Sequence, residues 1–465
     1  ARATARKQHM ITTNPSRDER ATRPCTGAPA AYLSIKRSLP AVGVIALAVS
    51  VLPSVAAAQT HHSSGTEQRV RPASTGSTLS LKEAAALARG DQPTLSAFER
   101  EAVASEEAAV AAGTLPDPQL TVGVTDFPVT GNNAFSPTAD NFTMYTIGVM
   151  REQVRRSRRQ AEAARLTAEA VVSRAEATAQ ERRIQRDVMV AWINAVEAQA
   201  KQRLLKRLIA DLEAGRQIME AGIPTGASTP SLALQAQAEV ALAKAQQEDA
   251  RGREARARAE MARWIGAAAQ RPLPDTVPAL EAPKRSQSAL AQHPHVQVAE
   301  AQEQAARRAV DVARADRRRN ITWSAMYGYR PEFGDLVTAT VSIPLQINKN
   351  RLQNRRISEA AARADAAALR AQDAQRELGG SYGTALADYK SAEAQLSILN
   401  TQAIPSLEAS FEAAEARYGA GQGSLDMPLV IVRRYVETTI QSIEQQGRRA
   451  RAAAELIYLT QDVAR

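Results

Sequence analysis

The sequence of 465 residues has one cysteine, five histidines and few aromatic residues: nine Tyr, six Phe and three Trp. A single cysteine excludes a disulfide framework and a zinc site built from several thiolates. So few rings supply too little large apolar surface for a series of globular domains of this total length. The apolar fraction of 44% is instead dominated by alanine, which runs together with Arg, Glu and Gln. That composition is typical of long, closely packed helices.

The formal charge of +10 comes mostly from the first part of the chain. Lys36 and Arg37 precede an apolar run from Leu39 to Leu52, and three alanines ending at Ala58 follow it. This pattern predicts a signal peptide with an extended n-region at residues 1–58. The alternative is a transmembrane anchor, which the short span and its prolines disfavour. Without these residues the chain has 51 Lys and Arg against 47 Asp and Glu and no cysteine, which predicts an exported envelope protein.

Two halves of the chain repeat the same landmarks about 200 residues apart. Pro93 and Pro294 each open an Ala-rich helical stretch, and strand-like runs begin at Leu120 and Ile321, each 27 residues after its proline. Each run starts a predicted hairpin with alternating apolar residues, the last strand running from Val337 to Leu345. The repeated order of helix, hairpin, long helix, turn and return helix indicates duplication, which favours a pseudo-symmetric assembly.

A long helix follows each hairpin, from about Arg155 to Ala221 and from about Arg351 to Arg417. We expect both helices to be uninterrupted and to span on the order of 100 Å. Apolar residues recur at helical period along the first of them; they are Val188, Trp192, Val196, Leu204, Leu208 and Leu212. Gly-rich breaks then lead into return helices at about Ser231 and Asp426.

Eight aromatic residues are concentrated in the two hairpin regions: Phe127, Phe135, Phe142, Tyr145, Trp323, Tyr327, Tyr329 and Phe333. Rings at strand ends form the girdles of outer-membrane barrels, whereas the alternative is an ordinary soluble β-sheet core. We predict a membrane aromatic belt made of Phe127, Phe142, Tyr145, Trp323, Tyr327 and Tyr329. Four strands cannot close a barrel alone, and open strand edges are not tolerated in lipid, so the sequence predicts oligomerisation.

Arginine runs at 151–159 and 314–319 flank the strands directly. A nucleic-acid site would need a basic face with stacking aromatics, and export argues against it. Two interpretations remain: a solvated helix end, or cations that reach lipid head groups at a membrane boundary.

Nothing in the sequence forms a catalytic constellation, so we expect a protein that is not an enzyme and has no cofactor. His293-Pro294-His295 could ligate a metal weakly. The corresponding segment of the first half is Gln92-Pro93-Thr94, however, and a proline at a helix entry explains both segments without a ligand. We therefore assign no metal site.

The sequence resembles the outer membrane efflux proteins, the TolC-like channels. The resemblance covers nearly everything after about residue 79. It is carried by the duplicated order of elements and by five stretches: Leu115–Leu120, Ala221–Ile223, Tyr329–Asp335, Val341–Leu345 and Arg417–Leu425. Within that family, the Tyr329–Asp335 stretch looks most like the branch paired with heavy-metal exporters of the resistance–nodulation–division (RND) type.

The resemblance implies a homotrimer, mainly α with a small β part. Its hairpins would form one twelve-strand transmembrane β-barrel, four strands per chain, and its long helices would form an α-helical barrel in the periplasm. The turns would be periplasmic tips that dock an adaptor protein, at Gly222, Ile223, Gly421, Gln422, Gly423 and Ser424. Asp426 is the candidate for the pore constriction.

These expectations divide the chain into a signal peptide and two similar halves. The segments of the first half are a polar leader (59–80), helices (81–117), a membrane hairpin (118–150), and a long helix, tip and return helix (151–266). A linker (267–285) leads to the second half, with a helix (286–319), a hairpin (320–347), and a long helix, tip and return helix (348–465).

The function predicted is an outer-membrane exit duct of a tripartite efflux system. It would export heavy-metal cations with an inner-membrane RND pump and a periplasmic adaptor, and it would bind no nucleic acid. Drug efflux and type I protein secretion are the alternatives for the cargo. A periplasmic adaptor would have one helical hairpin and a lipoyl-like segment, and a coiled-coil scaffold would not need alternating aromatic strands.

Overall fold

The structure, a computed structural model, describes residues 77–90, 92–139, 141–226, 228–283, 287–420, 422 and 426–460. The predicted signal peptide, and the polar leader as far as residue 76, lie outside the described residues. Among the described helices, none combines the length and the apolar character needed to cross a bilayer.

The chain repeats one unit of helices around a hairpin. The first half contains α1 (Leu81–Leu87), α2 (Pro93–Gly113), β1 (Gln119–Thr125), β2 (Met144–Gln153), α3 (Arg156–Gly222) and α4 (Pro230–Ile265), followed by a 3-10 turn (Gly266–Gln270). The second half contains α5 (Gln287–Ala291), α6 (Pro294–Ala315), β3 (Ile321–Tyr329), β4 (Leu336–Ser342), α7 (Gln353–Ile398), α8 (Ile404–Gly419) and α9 (Asp426–Thr460). The predicted fold class, mainly helical with a small sheet and a duplicated unit, is confirmed.

Matching local signals start the equivalent helices of the two halves. Pro93 and Pro294 occupy the first turns of α2 and α6, where a missing N–H costs nothing. The N-cap residues before them are Gln92 and His293. Because the chain enters both helices in the same way, the duplication is visible in backbone detail as well as in order.

The four strands form one antiparallel sheet in the order β1-β2-β3-β4. In its register Val122 pairs with Ile147, Ile147 with Tyr327, and Tyr327 with Val337. The helices attached to these strands pack in the same order, α2 on α3, α3 on α6 and α6 on α7. β1 and β4 are therefore the two edges of the sheet, and α2 and α7 are the two edges of the helical layer that continues it.

The core is a seam between helices, and small side chains dominate it. The predicted apolar positions of α3 face inward, with Val188, Trp192 and Val196 at most 1% exposed. The Trp192 Nε1 donates to the Leu79 carbonyl at 3.0 Å, which ties the segment before α1 to α3. Helix α9 packs on both α3 and α7, so it joins the two halves.

The second long helix stays helical from Gln353 to Gly419, but a π-helical turn divides it. Helix α7 ends at Ile398 in a π-helical turn, Leu399–Ala403, and α8 begins at Ile404. The cause is Pro405, which has no N–H to donate and whose ring clashes with the preceding turn. The first long helix, α3, lacks a proline and continues for 67 residues.

The last predicted strand is also too long. β4 ends at Ser342 rather than at Leu345. Pro344 cannot donate to a strand ladder, and the chain leaves the sheet before reaching it.

Candidate functional site

One face of the sheet is apolar and exposed in the single chain. Directly paired residues of adjacent strands lie on the same side of a sheet, so the register defines this apolar face. Its members are Leu120, Val122, Val124, Tyr145, Ile147, Val149, Trp323, Ala325, Tyr327, Tyr329, Val337, Ala339 and Val341. All thirteen are exposed, Val122 at 70% and Val337 at 77%. A continuous apolar surface of this kind marks contact with another apolar phase or molecule.

The opposite face carries mostly Thr, Ser, Gly and Met. Thr146 Oγ1 donates to the Gly123 carbonyl at 3.1 Å, so a polar group is satisfied within the sheet. At Gly148 an added Cβ would lie 3.0 Å from the Ala325 carbonyl oxygen, which shows how closely β2 and β3 approach there. A sheet that is apolar on one side and small and polar on the other fits a wall between lipid and a wet interior.

The six predicted belt residues are divided between the two ends of the sheet. Tyr145 pairs with Tyr329 beside the loops, and Phe127 and Phe142 lie in the loop between β1 and β2. Trp323 lies toward the helices, six residues from Tyr329 along β3, which corresponds to about 20 Å. Tyr327 is two residues from Tyr329 on the same face. All six are exposed, and their role as a membrane belt stays a prediction.

Polar contacts hold the loop between β3 and β4. The Arg330 Nε donates to the Gly334 carbonyl at 2.8 Å, and its Nη1 donates to the Asn141 carbonyl at 3.2 Å. The hydroxyl of Tyr327 donates to the Asp335 carboxylate. The Tyr329–Asp335 stretch that carries part of the family resemblance is thus a structured turn that contacts the first hairpin.

The first predicted tip is a tight turn between α3 and α4. Thr225 Oγ1 donates to the Gly222 carbonyl at 3.0 Å, and Gly226 has a φ of +73° that favours glycine. Ile223 is half-buried and packs beside Met219, so the exposed surface of this tip is made by Pro224, Thr225 and Gly226 rather than by Ile223.

The second predicted tip follows α8. The Gln422 N–H donates to the Arg417 carbonyl at 2.9 Å, and Gln422 is exposed. Gly421, Gly423 and Ser424 lie outside the described residues. Asp426 begins α9, and its side chain also lies outside what the structure describes. Adaptor docking at both tips, and a constriction at Asp426, stay predictions.

Sequence reasoning missed a buried charged cluster between α3 and α9. Lys201, 5% exposed, contacts Glu197 Oε1 and Glu444 Oε1 at 2.8 Å each. Arg451 Nη1 reaches Glu197 Oε2 at 2.5 Å and donates to Asn194 Oδ1 at 3.0 Å. The available signal was a Glu and a Lys four residues apart inside the apolar seam of α3, where unpaired charges would be costly.

His293 is a helix cap in the structure. Its ring is 1% exposed, its Nδ1 accepts from the His295 N–H at 3.2 Å, and it packs edge-on against Tyr458 with 4.8 Å between ring centroids. Burial lowers the pKa of His293 to about 4, and the positive charges of His295, Arg182 and Arg183 act in the same direction. Across the described residues, no group of three or more His, Cys, Asp or Glu could hold a metal ion.

The equivalent cap of the first half makes an analogous connection. The Gln92 Nε2 donates to the Trp264 carbonyl at 2.8 Å, near the end of α4. His293 packs on Tyr458 near the end of α9. In each half, therefore, the residue that enters the pre-strand helix also contacts the end of the return helix.

The fold is that of outer-membrane efflux channels. Residues 286–460 match the family model of the outer membrane efflux protein. The structure of CusC superposes with a TM-score of 0.70 at 16% identity, covering 84% of this chain and 95% of that one. VceC from Vibrio cholerae gives 0.67 at 18% identity, covering 82% and 95% of the two chains.

The open state of the MtrE channel of Neisseria gonorrhoeae gives a TM-score of 0.65 at 17% identity and covers 82% of this chain and 88% of that one. A search of curated proteins finds no match. At these identities the structural likeness establishes the fold, and the sequence match to the family covers the second half of the chain.

Proposed function

We propose that this chain is the outer-membrane exit duct of a tripartite efflux system in a Gram-negative envelope. The observation that carries the proposal is the sheet, which exposes a complete apolar face and ends in two edge strands, β1 and β4. The apolar face would meet the hydrocarbon of the outer membrane. Strands of seven to ten residues span about 23–33 Å, comparable to the apolar band of outer-membrane barrels.

A homotrimer would complete the sheet. The order β1-β2-β3-β4 is antiparallel throughout, so β4 of one chain runs antiparallel to β1 of the next when their edges meet. Three chains would then close a twelve-strand barrel, the number that the family resemblance implies. The same operation would bring α7 of one chain beside α2 of the next, because sheet and helices share one order.

The helices below the sheet would form the periplasmic tunnel, and the α3–α4 and α8–α9 turns would dock a periplasmic adaptor. An inner-membrane RND pump would supply the energy. Resemblance of the Tyr329–Asp335 stretch to the heavy-metal branch of the family supports metal cations as the cargo. Drug efflux and protein secretion are the competing cargoes.

Two experiments test this function. The purified full-length protein in planar bilayers should form trimers with a stable conductance, and a water-soluble monomer without conductance would overturn the proposal. Deletion of the gene should then lower tolerance to several metal cations while leaving tolerance to hydrophobic drugs unchanged. The reverse pattern would retain the duct and reject the metal cargo.

A further inference from the structure

Three basic runs meet at one end of the sheet. They occupy 151–159 at the end of β2, 314–319 before β3, and 349–356 after β4. Their cations, which we call the basic collar, are Arg151, Arg155, Arg156, Arg158, Arg159, Arg314, Arg317, Arg318, Arg319, Lys349, Arg351, Arg355 and Arg356. The same runs contain only two acids, Glu152 and Asp316. The topology brings these thirteen cations together because three of the four strand ends on the helical side carry them.

The opposite end of the sheet has the reverse charge. The loops at 126–143 and 330–335 contain four acids and one arginine. The two ends of the sheet therefore carry net charges of opposite sign. If the collar served only to keep helix ends solvated, such a separation of charge would not be expected.

Most of the collar charge is left uncompensated by the fold. Arg158 pairs with Asp316, and Arg314 pairs with Asp311. In contrast, Arg155 Nε donates to the Arg319 carbonyl at 2.8 Å, and Arg159 Nη1 donates to the Gly113 carbonyl at 2.7 Å. Bonds to carbonyls fix the positions of these guanidinium groups without neutralising them.

Several other collar side chains are exposed and form no hydrogen bond or ion pair with any residue that the structure describes; they are Arg156, Arg317, Arg318, Arg355 and Arg356. Exposed guanidinium groups concentrated in this way create a positive potential that attracts anions, and their paired N–H donors suit phosphate.

The collar directly borders the apolar face. Arg151 still belongs to β2 and pairs across the sheet with Trp323, so the last apolar position and the first collar cation lie side by side. The Arg151 Nε donates to the Pro116 carbonyl at 3.0 Å, which fixes it at this boundary. A single ligand that binds both the apolar face and the basic collar must be apolar where it lies along the strands and anionic where it reaches the end of the sheet nearest the helices.

We propose that the basic collar binds the phosphate groups of anionic phospholipids whose acyl chains lie on the apolar face. This inference rests on the proposed function, because it places the apolar face in the outer membrane with the collar on the periplasmic side. A nucleic acid or an acidic peptide would satisfy the cations but leave the apolar face beside them uncovered. The collar would thus select lipids and set the depth of the sheet in the bilayer.

The test compares lipid binding by four versions of the full-length protein in detergent. The collar variant is R156Q/R317Q/R318Q/R355Q, and its charge-preserving counterpart has Lys at the same four positions. The matched control is R207Q/R256Q/R370Q/R376Q, which removes four exposed arginines from the helices away from the collar. Each protein receives equal amounts of phosphatidylglycerol and phosphatidylcholine, and native mass spectrometry counts the lipids bound.

We expect the unmodified protein to prefer phosphatidylglycerol, and the collar variant to lose at least about tenfold of that preference. The lysine variant and the matched control should keep most of it. Equal binding of both lipids by the unmodified protein would overturn the inference, as would an unchanged preference in the collar variant. Displacement of the lipid by a DNA oligonucleotide would assign the collar to nucleic acid instead.

Conductance in bilayers of pure phosphatidylcholine separates the two proposals. If the unmodified protein conducts in these bilayers but shows no preference for phosphatidylglycerol in the mass-spectrometric test, the proposed duct is retained and the collar inference fails. If it neither inserts nor conducts in any lipid mixture, the proposed function itself fails.

Discussion

Gly447 of α9 lies directly against the carboxylate of Glu197 on α3. A Cβ built at Gly447 would collide with the Glu197 carboxylate, which Lys201 and Arg451 hold in place. A flexible, exposed side chain could move away, but Glu197 is only 9% exposed. The close approach of the two halves of the chain therefore requires a residue without a side chain at this position.

The Gly447→Ala substitution should lower the free energy of unfolding by about 1–3 kcal/mol, because the methyl group forces Glu197 out of its pairing or separates α3 from α9. The measurement is the denaturation midpoint of the detergent-solubilised protein, followed by circular dichroism.

Gly252→Ala is the matched control for this change. Gly252 is also helical, but a Cβ built there would meet no other part of the described chain within 4 Å. The substitution should raise stability by about 0.5–1 kcal/mol, since alanine is the better helix former. Equal effects of the two substitutions would contradict the close contact at Gly447.

His293 should make stability depend on pH. Its pKa is about 4 in the folded chain against an ordinary value of 6.5, because burial disfavours the charged ring. Between these values the unfolded chain binds more protons than the folded one. The free energy of unfolding should therefore fall by on the order of 3 kcal/mol as the pH drops from about 6.5 to about 4.

His293→Asn keeps a capping side chain and removes this titration. The difference between denaturation midpoints at pH 7 and pH 5 should shrink strongly in H293N. In the control H295N most of it should remain, because burial, the main cause of the shift, is unchanged there. An unchanged pH dependence in H293N would assign the effect to other groups.

The two faces of the sheet should differ in how well they tolerate an added charge. Val122→Arg places a cation on the apolar face and should cost about 2–4 kcal/mol if that face meets the middle of the bilayer. Thr121→Arg, one residue away on the same strand, places it on the polar face and should cost much less. Insertion into vesicles, measured by flotation, checks this prediction, and equal insertion of both variants would contradict a lipid-facing sheet.

Trp192→Phe should destabilise the chain by about 1–2 kcal/mol, because it leaves the buried Leu79 carbonyl without its donor. The half-buried Trp264 provides a control, since Phe at that position removes no side-chain hydrogen bond to a described residue. Denaturation midpoints of the two variants give the comparison. If W264F loses as much stability as W192F, the hydrogen bond to Leu79 is not the cause.

The sequence predicted the parts of the fold that follow from local patterns. Alternation located the strands, helical period identified the buried face at Val188 and Trp192, and Pro93 and Pro294 marked the helix entries. The π-helical turn before Pro405 was equally local, but the prediction of one uniform α-helix took no account of that proline.

The pair of Glu197 and Lys201 was visible in the sequence, but its partner Arg451 was not, because that contact depends on α9 meeting α3 about 250 residues later in the chain. The basic collar could not be predicted for a different reason. Each of its runs is visible in the sequence, but only the sheet topology shows that the three lie at one end.

The caps at Gln92 and His293 occupy equivalent positions, yet only one of them can take up a proton. Acidification would leave the contact of Gln92 with α4 untouched while weakening the contact of His293 with α9. At low pH the second half of the chain should therefore open before the first half, although the two halves share one geometry.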